Sequence, residues 1–314
     1  MRLLFMGTPD FAVPILKTLA KNHEVLAVVT QPDRPKGRGH GVMFSPVKEY
    51  AVTMGVPVFQ PLKVRGDENF IEDITALKAD VFVVVAYGQI LPEQILNIPS
   101  LGCINIHASL LPKYRGAAPM QYSILNGDDV TGVTIMYMDK GMDTGDMIFK
   151  KELPISHTDK LIDVHDKMSD MSCECILEAL KQIEAGTAKR EPQNNEEATY
   201  APMLKKDDGL IDWQNPTSKI LNQVRALDPW PGTFTYYDKQ PLKIWECKSY
   251  NEPVSEALSE VKPGEVLESD KHLLVKTGDG ALSITVLQGQ GGKRMQAADY
   301  LRGKPIPVKT ILGI

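Results

Sequence analysis

Cysteine is scarce in this chain of 314 residues, which holds 4. Cys103, Cys173, Cys175 and Cys247 form neither a spaced metal-ligand pair nor a disulfide framework, so a stapled secreted scaffold and a zinc module are excluded. No bound metal is expected. Long apolar runs are lacking too. The densest, Val81 to Ala86, is far too short to span a bilayer, and the mean hydropathy is -0.18, so no membrane contact is expected. Surplus positive charge is absent, with a formal net charge of -5 and a pI of about 5.8. That argues against a protein that coats nucleic acid along its whole surface and leaves room for a local basic patch. The 24 glycines and 22 prolines are too few for a collagen-like or largely disordered chain. Met1 to Met6 shows neither a long apolar core nor a cleavage pattern and reads as a first strand. A soluble protein of a reducing compartment, the cytoplasm, is the expectation.

What is present is ordinary globular material, 43% hydrophobic and 24% charged, at a length that suggests two domains. Short apolar runs alternate with helical stretches in the first half: strands at 3–6, 25–30, 56–59, 81–86, 102–107 and 132–138, and helices at 11–21 and 68–77. That pattern predicts a Rossmann-like, mostly parallel α/β sheet covered by helices. Gln31 to Ser45 is rich in proline, glycine and basic residues and reads as a long exposed loop. From Ser156 to Ala185 the period changes to three and four (Leu161, Val164, Met168, Met171, Cys175, Ala179, Ile183), which predicts one long helix closed by Gly186. A polar linker over 188–208 then separates residues 1–187 from a C-terminal domain, 209–314. There, short strands at 233–237, 242–246, 264–268, 272–277 and 281–287 predict a small OB-type β-barrel.

Two glycine-containing turns carry little. Gly7-Thr8-Pro9-Asp10 has one glycine, and Pro9 removes an amide that a pyrophosphate would use, so no NAD is expected and a tight turn with Thr8 or Asp10 capping a helix is the reading. Gly289 to Lys293 fails as a phosphate loop because Arg294 stands at the Ser/Thr position, and it reads as a hairpin. Asn105-Ile106-His107 is different. Residues two apart on a strand share a face, so an amide and an imidazole emerge together at a strand end, where open α/β sheets bind ligands. Downstream, Asp139 to Asp146 places carboxylates in a glycine-hinged loop after another strand. Asn105 and His107 can donate to an oxyanion. Asp143 can orient the imidazole and accept a proton, with Asp146 ranked second. Cys103 and His165 read as packing residues.

These residues resemble the folate-dependent formyltransferase family, and within it the branch that formylates methionyl-tRNA. Asn105, His107 and Asp143 match the family's Asn, His and Asp triad, and Ser109-Leu110-Leu111-Pro112 matches its folate-binding segment. Gly7 to Phe11, Gln31 to Pro35, Tyr87-Gly88 and Pro229 to Gly232 match further signatures. The resemblance implies formyl transfer from 10-formyltetrahydrofolate to the α-amino group of initiator methionyl-tRNA, for translation initiation. It implies a folate site at Tyr87, Gly88, Gln89, Ile90, Ser109, Leu110, Leu111 and Pro112. The alternatives are a formyltransferase acting on a small amine such as an amino sugar, or a non-catalytic tRNA-binding module.

Two basic segments suit a tRNA partner. Between Gln31 and Lys48, Arg34, Lys36, Arg38 and Lys48 stand against Asp33, and between Lys293 and Lys309 five basic residues stand against Asp299. The expected tRNA contacts are Arg34, Lys36 and Arg38 on the loop, and Lys293 and Arg294 on the barrel. A monomer is expected.

Overall fold

The computed structural model describes residues 1–35, 42–250 and 260–313. Its contacts sort into two compact units: Met1–Pro119, Val130–Pro154 and Val164–Pro202 in the first, and Met120–Asp129, Ile155–Asp163 and Met203–Ile314 in the second. Composition places 120–129 and 155–163 in the first half. They fall in the second unit because Ile155 donates its amide to the Asp129 carbonyl and the Arg225 guanidinium holds the Ser156 and Asp159 carbonyls.

The chain runs β1 (Arg2–Gly7), α1 (Ala12–Asn22), β2 (Glu24–Val29), β3 (Arg34–Pro35), β4 (Val42–Met43), α2 (Pro46–Met54), β5 (Val58–Phe59), α3 (Glu68–Ala76), β6 (Val81–Val85), α4 (Glu93–Leu96), β7 (Cys103–His107), β8 (Arg115–Gly116), α5 (Pro119–Leu125), β9 (Val130–Tyr137), β10 (Met147–Pro154), α6 (Leu161–Glu184) and β11 (Tyr200–Ala201). Seven strands form one sheet in the order β10-β9-β7-β6-β1-β2-β5. The strands from β5 to β7 are parallel, and β9 and β10 join antiparallel at the β7 edge. Every residue of β6 is buried, as a central parallel strand covered on both faces requires. The core includes Leu4, Met6, Phe70, Ile74, Phe82, Val84 and Ile95, where the helices meet the sheet.

The expected Rossmann-like α/β class is borne out; α2, α4 and α5 are helices beyond those expected, and four further details differ. The stretch read as a plain exposed loop begins and ends in a small ladder, with Arg34 opposite Met43 and Pro35 opposite Val42. Lys36 and Arg38 lie outside the described residues. Thr8 caps no helix: its hydroxyl donates to the Tyr87 carbonyl at 3.0 Å and accepts the Gln31 amide at 3.3 Å, joining the ends of β1, β2 and β6. The long helix starts at Leu161 because Ser156 and Asp159 close a turn on each other, and Lys160 with Asp163 begins the helix instead. β10 escapes sequence reading because Lys150, Lys151 and Glu152 are exposed along this edge strand and break its alternation.

The second unit adds α7 (Thr217–Ala226), β12 (Thr233–Tyr237), β13 (Gln240–Ser249), β14 (Val266–Ser269), β15 (Leu273–Lys276), β16 (Ala281–Gln288), β17 (Met295–Gln296) and α8 (Ala297–Gly303). An antiparallel sheet runs β12-β13-β16-β15-β14, with β17 paired to β16, so Gly289 to Arg294 is the hairpin loop that composition suggests. Register shifts near Glu246 and between Val266 and Glu268 are bulges that increase strand twist, curling the sheet around Trp213, Ile220, Leu242, Ile244, Leu273 and Ile284. This is the expected barrel-like C-terminal architecture.

One cap in this unit comes from a distant part of the chain. Pro216 precedes α7 and supplies no side-chain cap. Asp279, in the turn between β15 and β16, accepts the Thr217 amide at 2.8 Å and the Thr217 hydroxyl at 2.9 Å. Those bonds, the backbone one first, hold its carboxyl below the usual aspartate range. A depressed folded-state pKa contributes stability that is present above the unfolded value and is lost as pH falls through the folded one. Asp279→Ala is therefore expected to cost about 1 kcal/mol at pH 7. The difference in Tm from wild type should close as the pH is lowered below about 4, the ordinary aspartate value. Thermal melts across that range check it, and a pH-independent difference would contradict the assignment.

Candidate active site

The site forms where the parallel part of the sheet turns antiparallel. β7 delivers Asn105 opposite Val84 of β6 and Met136 of β9, and His107 opposite Thr134. Asn105 and His107 sit two residues apart, as strand spacing requires. Asp143 reaches them by a route that sequence reading does not anticipate. The expectation placed it on a neighbouring strand end. β9 instead runs antiparallel to β7, so the 138–146 loop leaves beside Ile104, at the entry end of β7, and folds back along the strand. Asp139 secures that fold, since its carboxylate accepts the Gly141 amide at 2.9 Å and the Thr144 hydroxyl at 2.6 Å.

The result is a convergent triad. The Asn105 amide donates to Asp143 Oδ1 at 3.4 Å, a long bond, while the Gly116 amide donates to Asp143 Oδ2 at 2.8 Å. His107 Nδ1 lies 3.7 Å from Asp143 Oδ2, an ion-pair separation and longer than a direct hydrogen bond. His107 Nε2 is 2.9 Å from the Tyr114 carbonyl. A carbonyl only accepts, so Nε2 carries a proton and Nδ1 is the nitrogen that faces the carboxylate. His107 is 5% exposed. Asp143 adopts φ 53°, a left-handed conformation that costs a non-glycine residue about 1–2 kcal/mol.

The residues expected to bind folate divide into two sets. Tyr87 is buried, with its hydroxyl pKa raised by burial, and its carbonyl accepts from Thr8 and Gln31. The Gln89 side chain turns inward to the Val64 amide and the Pro61 carbonyl. Ser109 is fully buried and donates to the Lys113 carbonyl, while Leu111 packs on Met136 and Met147. Gly88 and Ile90 are exposed, and Leu110 and Pro112 are half-buried. The first set shapes the loop ends. The second set offers surface at the exit ends of β6 and β7.

Asp146 stands apart from the triad and faces Arg190 at 3.8 Å. Cys103 is a buried packing residue whose thiol is pushed up to about 12 by burial. The residues that sequence reading missed are Tyr114, Arg115, Gly116 and Gln193, which hold the triad from behind. The glycine and the arginine inside Tyr114-Arg115-Gly116 were the available signal. Gln193 had none, because it lies in a polar stretch. Arg34 and Lys293 are exposed; Arg294 stacks on the Trp245 ring at 3.4 Å and pairs with Asp228 at 2.7 Å. A hollow of about 800 Å³ in the same unit is lined at the other end of the strands by Gly102, Cys103, Tyr137 and Arg190, and the triad does not reach it. No group of His, Cys, Asp and Glu fit to hold a metal ion occurs among the described residues.

Comparison with known proteins identifies the family. A family model described as formyl transferase matches residues 1–180, and one described as formyl transferase, C-terminal domain, matches residues 203–305. The chain belongs to the formyl transferase family. It is similar to the methionyl-tRNA formyltransferase of Caldanaerobacter subterraneus, with 49% identity across 99% of this chain and 100% of that one. Among solved structures, the N-formyltransferase of Helicobacter canadensis, in complex with folinic acid and dTDP-3-aminofucose, gives a TM-score of 0.68 at 22% identity, covering 93% of this chain and 99% of that one. HypX of Aquifex aeolicus, in complex with tetrahydrofolic acid, gives 0.63 at 21% identity and covers 96% of this chain. The chain spans about half of HypX, 47% of its length. At these identities the two solved structures establish the fold alone.

Gly116 is the backbone hinge of the site. Its φ is 121°, and a Cβ placed there would stand 2.7 Å from the Ala201 carbonyl. Gly116→Ala is expected to destabilise the chain by about 1–3 kcal/mol and to lower turnover at least tenfold, since the donor to Asp143 shifts with it. Thermal melts and steady-state rates check this. Wild-type values in both would show that the close approach is unnecessary.

Proposed function

We propose that this chain transfers the formyl group of 10-formyltetrahydrofolate to the α-amino group of initiator methionyl-tRNA. The observation that carries the reading is the convergence of Asn105, His107 and Asp143, in a chain with full-length similarity to methionyl-tRNA formyltransferases. The acceptor amine must be neutral to attack, and a free α-amino group titrates near 8, so it needs little activation. Its nitrogen forms a bond to the formyl carbon and the C=O pair moves to oxygen. The Asn105 amide, and His107 through Nδ1 when protonated, donate to that oxyanion. Asp143 balances the charge on the imidazole and takes the proton that the amine nitrogen must lose. The oxyanion pair then re-forms the C=O, the bond from the formyl carbon to N10 breaks, and N10 leaves with the proton that Asp143 took from the amine. The folate lies along the exit ends of β6 and β7, against Gly88, Ile90, Leu110 and Pro112, with Tyr87, Gln89, Ser109 and Leu111 shaping the loops beneath.

The tRNA is held at two places in this reading: the loop with Arg34, Lys36 and Arg38, and the barrel with Lys293 and Arg294. Lys48 is engaged at the loop's base by Asp33 at 2.5 Å and by Gln60 at 2.7 Å, so the loop arginines and Lys36 are its cations for phosphate. The protein works as a cytoplasmic monomer. No helix among the described residues is long and apolar enough to cross a membrane. An amino-sugar acceptor is disfavoured, because identity is 49% to a methionyl-tRNA formyltransferase and 22% to the Helicobacter canadensis enzyme.

Incubating the protein with the formylated folate and charged initiator tRNA should yield formylmethionyl-tRNA. Formylation of a nucleotide-linked amino sugar in place of the tRNA would overturn the reading. His107→Ala and Asp143→Asn should each lower kcat by roughly two to three orders of magnitude with tRNA affinity little changed. Near-normal turnover in both would remove the triad assignment. Arg38→Ala should lower kcat/KM for tRNA by about tenfold or more through misplacement of the amine. Replacing Lys293 and Arg294 with alanine should weaken binding and flatten its salt dependence by about one to two units. Unchanged kinetics and salt slope in both would place the tRNA elsewhere.

A further inference from the structure

The segment 191–201 follows the loop that carries Asp143 contact by contact. At its start, Glu191 and Met147 exchange backbone hydrogen bonds at 2.8 and 3.0 Å, at the point where the loop ends in β10. In the middle, Gln193 Nε2 donates to the Asp143 carbonyl at 2.9 Å and to the Gly145 carbonyl at 2.8 Å. At its end, β11 pairs in parallel with β8, placing Tyr200 beside Arg115 and Ala201 beside Gly116, whose amide holds the Asp143 carboxylate. The Gln193 amide is itself oriented. Its Oε1 accepts from Arg115 Nε at 3.0 Å and from Nη2 at 2.8 Å, and Nη2 also donates to Asn195 Oδ1 at 2.8 Å. Arg115 is 2% exposed, so these are charge-assisted bonds in a water-poor setting, and they fix which way the amide points.

Asp143 needs such a hold. Its backbone is left-handed, and its Oδ1 has a long 3.4 Å bond to Asn105. Two N–H bonds from one amide to the carbonyls at 143 and 145 clamp the 143–144 and 145–146 peptide units, on either side of the Thr144-Gly145 pair. We propose that Gln193, oriented by Arg115, is a positioning residue for Asp143, so that the segment lying between the two family-model matches completes the catalytic site. This rests on the triad reading above and extends it. The matches stop at residue 180 and resume at residue 203. The stretch that composition marks as a linker therefore carries part of the site.

Gln193→Glu separates positioning from structure. A carboxylate keeps, and strengthens, the partnership with Arg115, yet it cannot donate to either carbonyl. In the full-length protein, Gln193→Glu is expected to keep a Tm within a few degrees of wild type. Its kcat should fall about 10- to 100-fold, with KM for folate and tRNA within about twofold, because a misplaced group acts on the transition state. Gln193→Ala should show the same kcat loss at a temperature well below its Tm. Arg115→Lys, which keeps the charge and loses the fork, should show a smaller loss. Asp143→Asn is measured alongside. If Gln193→Glu and Gln193→Ala turn over at the wild-type rate while Asp143→Asn is inactive, the positioning role is wrong and the triad stands. Wild-type turnover in Asp143→Asn would remove the triad and the proposal together.

Discussion

The hold on the Asp143 carboxylate and its backbone is the constraint on which the site depends. An aspartate in a left-handed conformation persists where its surroundings determine it fully. Here the Gly116 amide holds the carboxylate, the Gln193 amide holds the carbonyl, and Asp139 closes the loop from the other side. Three separate stretches of chain thus converge on one residue. None of them is near it in sequence except Asp139. The arrangement places a carboxylate within 3.7 Å of an imidazole that is committed to a single tautomer by the Tyr114 carbonyl.

The sheet explains why this happens at β7. In a parallel sheet every strand exits at the same edge, and the loops after β1, β2 and β6 meet there through Thr8, Gln31 and Tyr87. β7 shares that edge, so His107 emerges next to the loops that form the folate surface in the proposed reading. β9 reverses direction, and its following loop must climb the strand to arrive. That detour supplies an acidic residue from the side of the sheet rather than from its edge. Beneath it, Leu111, Met136 and Met147 form a small apolar cluster that supports the loop's two ends.

Burial separates residues that form the site from residues that face a ligand. Ser109 and Tyr87 belong to motifs that suggest binding, yet both direct their polar atoms into the scaffold, because a buried hydroxyl or carbonyl left without a partner is costly. Arg294 in the second unit differs: it is exposed, and stacking on Trp245 and pairing with Asp228 fix where its charge stands. Lys293, beside it and equally exposed, carries the less committed charge.

The local features of this protein were legible in its sequence. Apolar runs such as Val81 to Val85 and the three-and-four spacing from Leu161 to Ile183 encode strand and helix directly, because burial and backbone period are properties of neighbouring residues. Asn105 and His107 were legible for the same reason, since two-residue spacing on a strand fixes a shared face. The short β3–β4 ladder, the late start of α6 and the cap that Asp279 gives to α7 were not, because each depends on a partner or a turn that outcompetes the local pattern. The largest gap was the stretch 188–208. Its polar composition describes solvent-exposed residues, and most of them are exposed, but Gln193 and Ala201 meet the site through hydrogen bonds whose partners lie at 115, 117, 118, 143 and 145. Sequence determined the central parallel strands, the helix period and the chemistry on β7. Tertiary structure decided how Asp143 reaches that chemistry and what holds it there, because those contacts join residues far apart in the chain and leave no period to read.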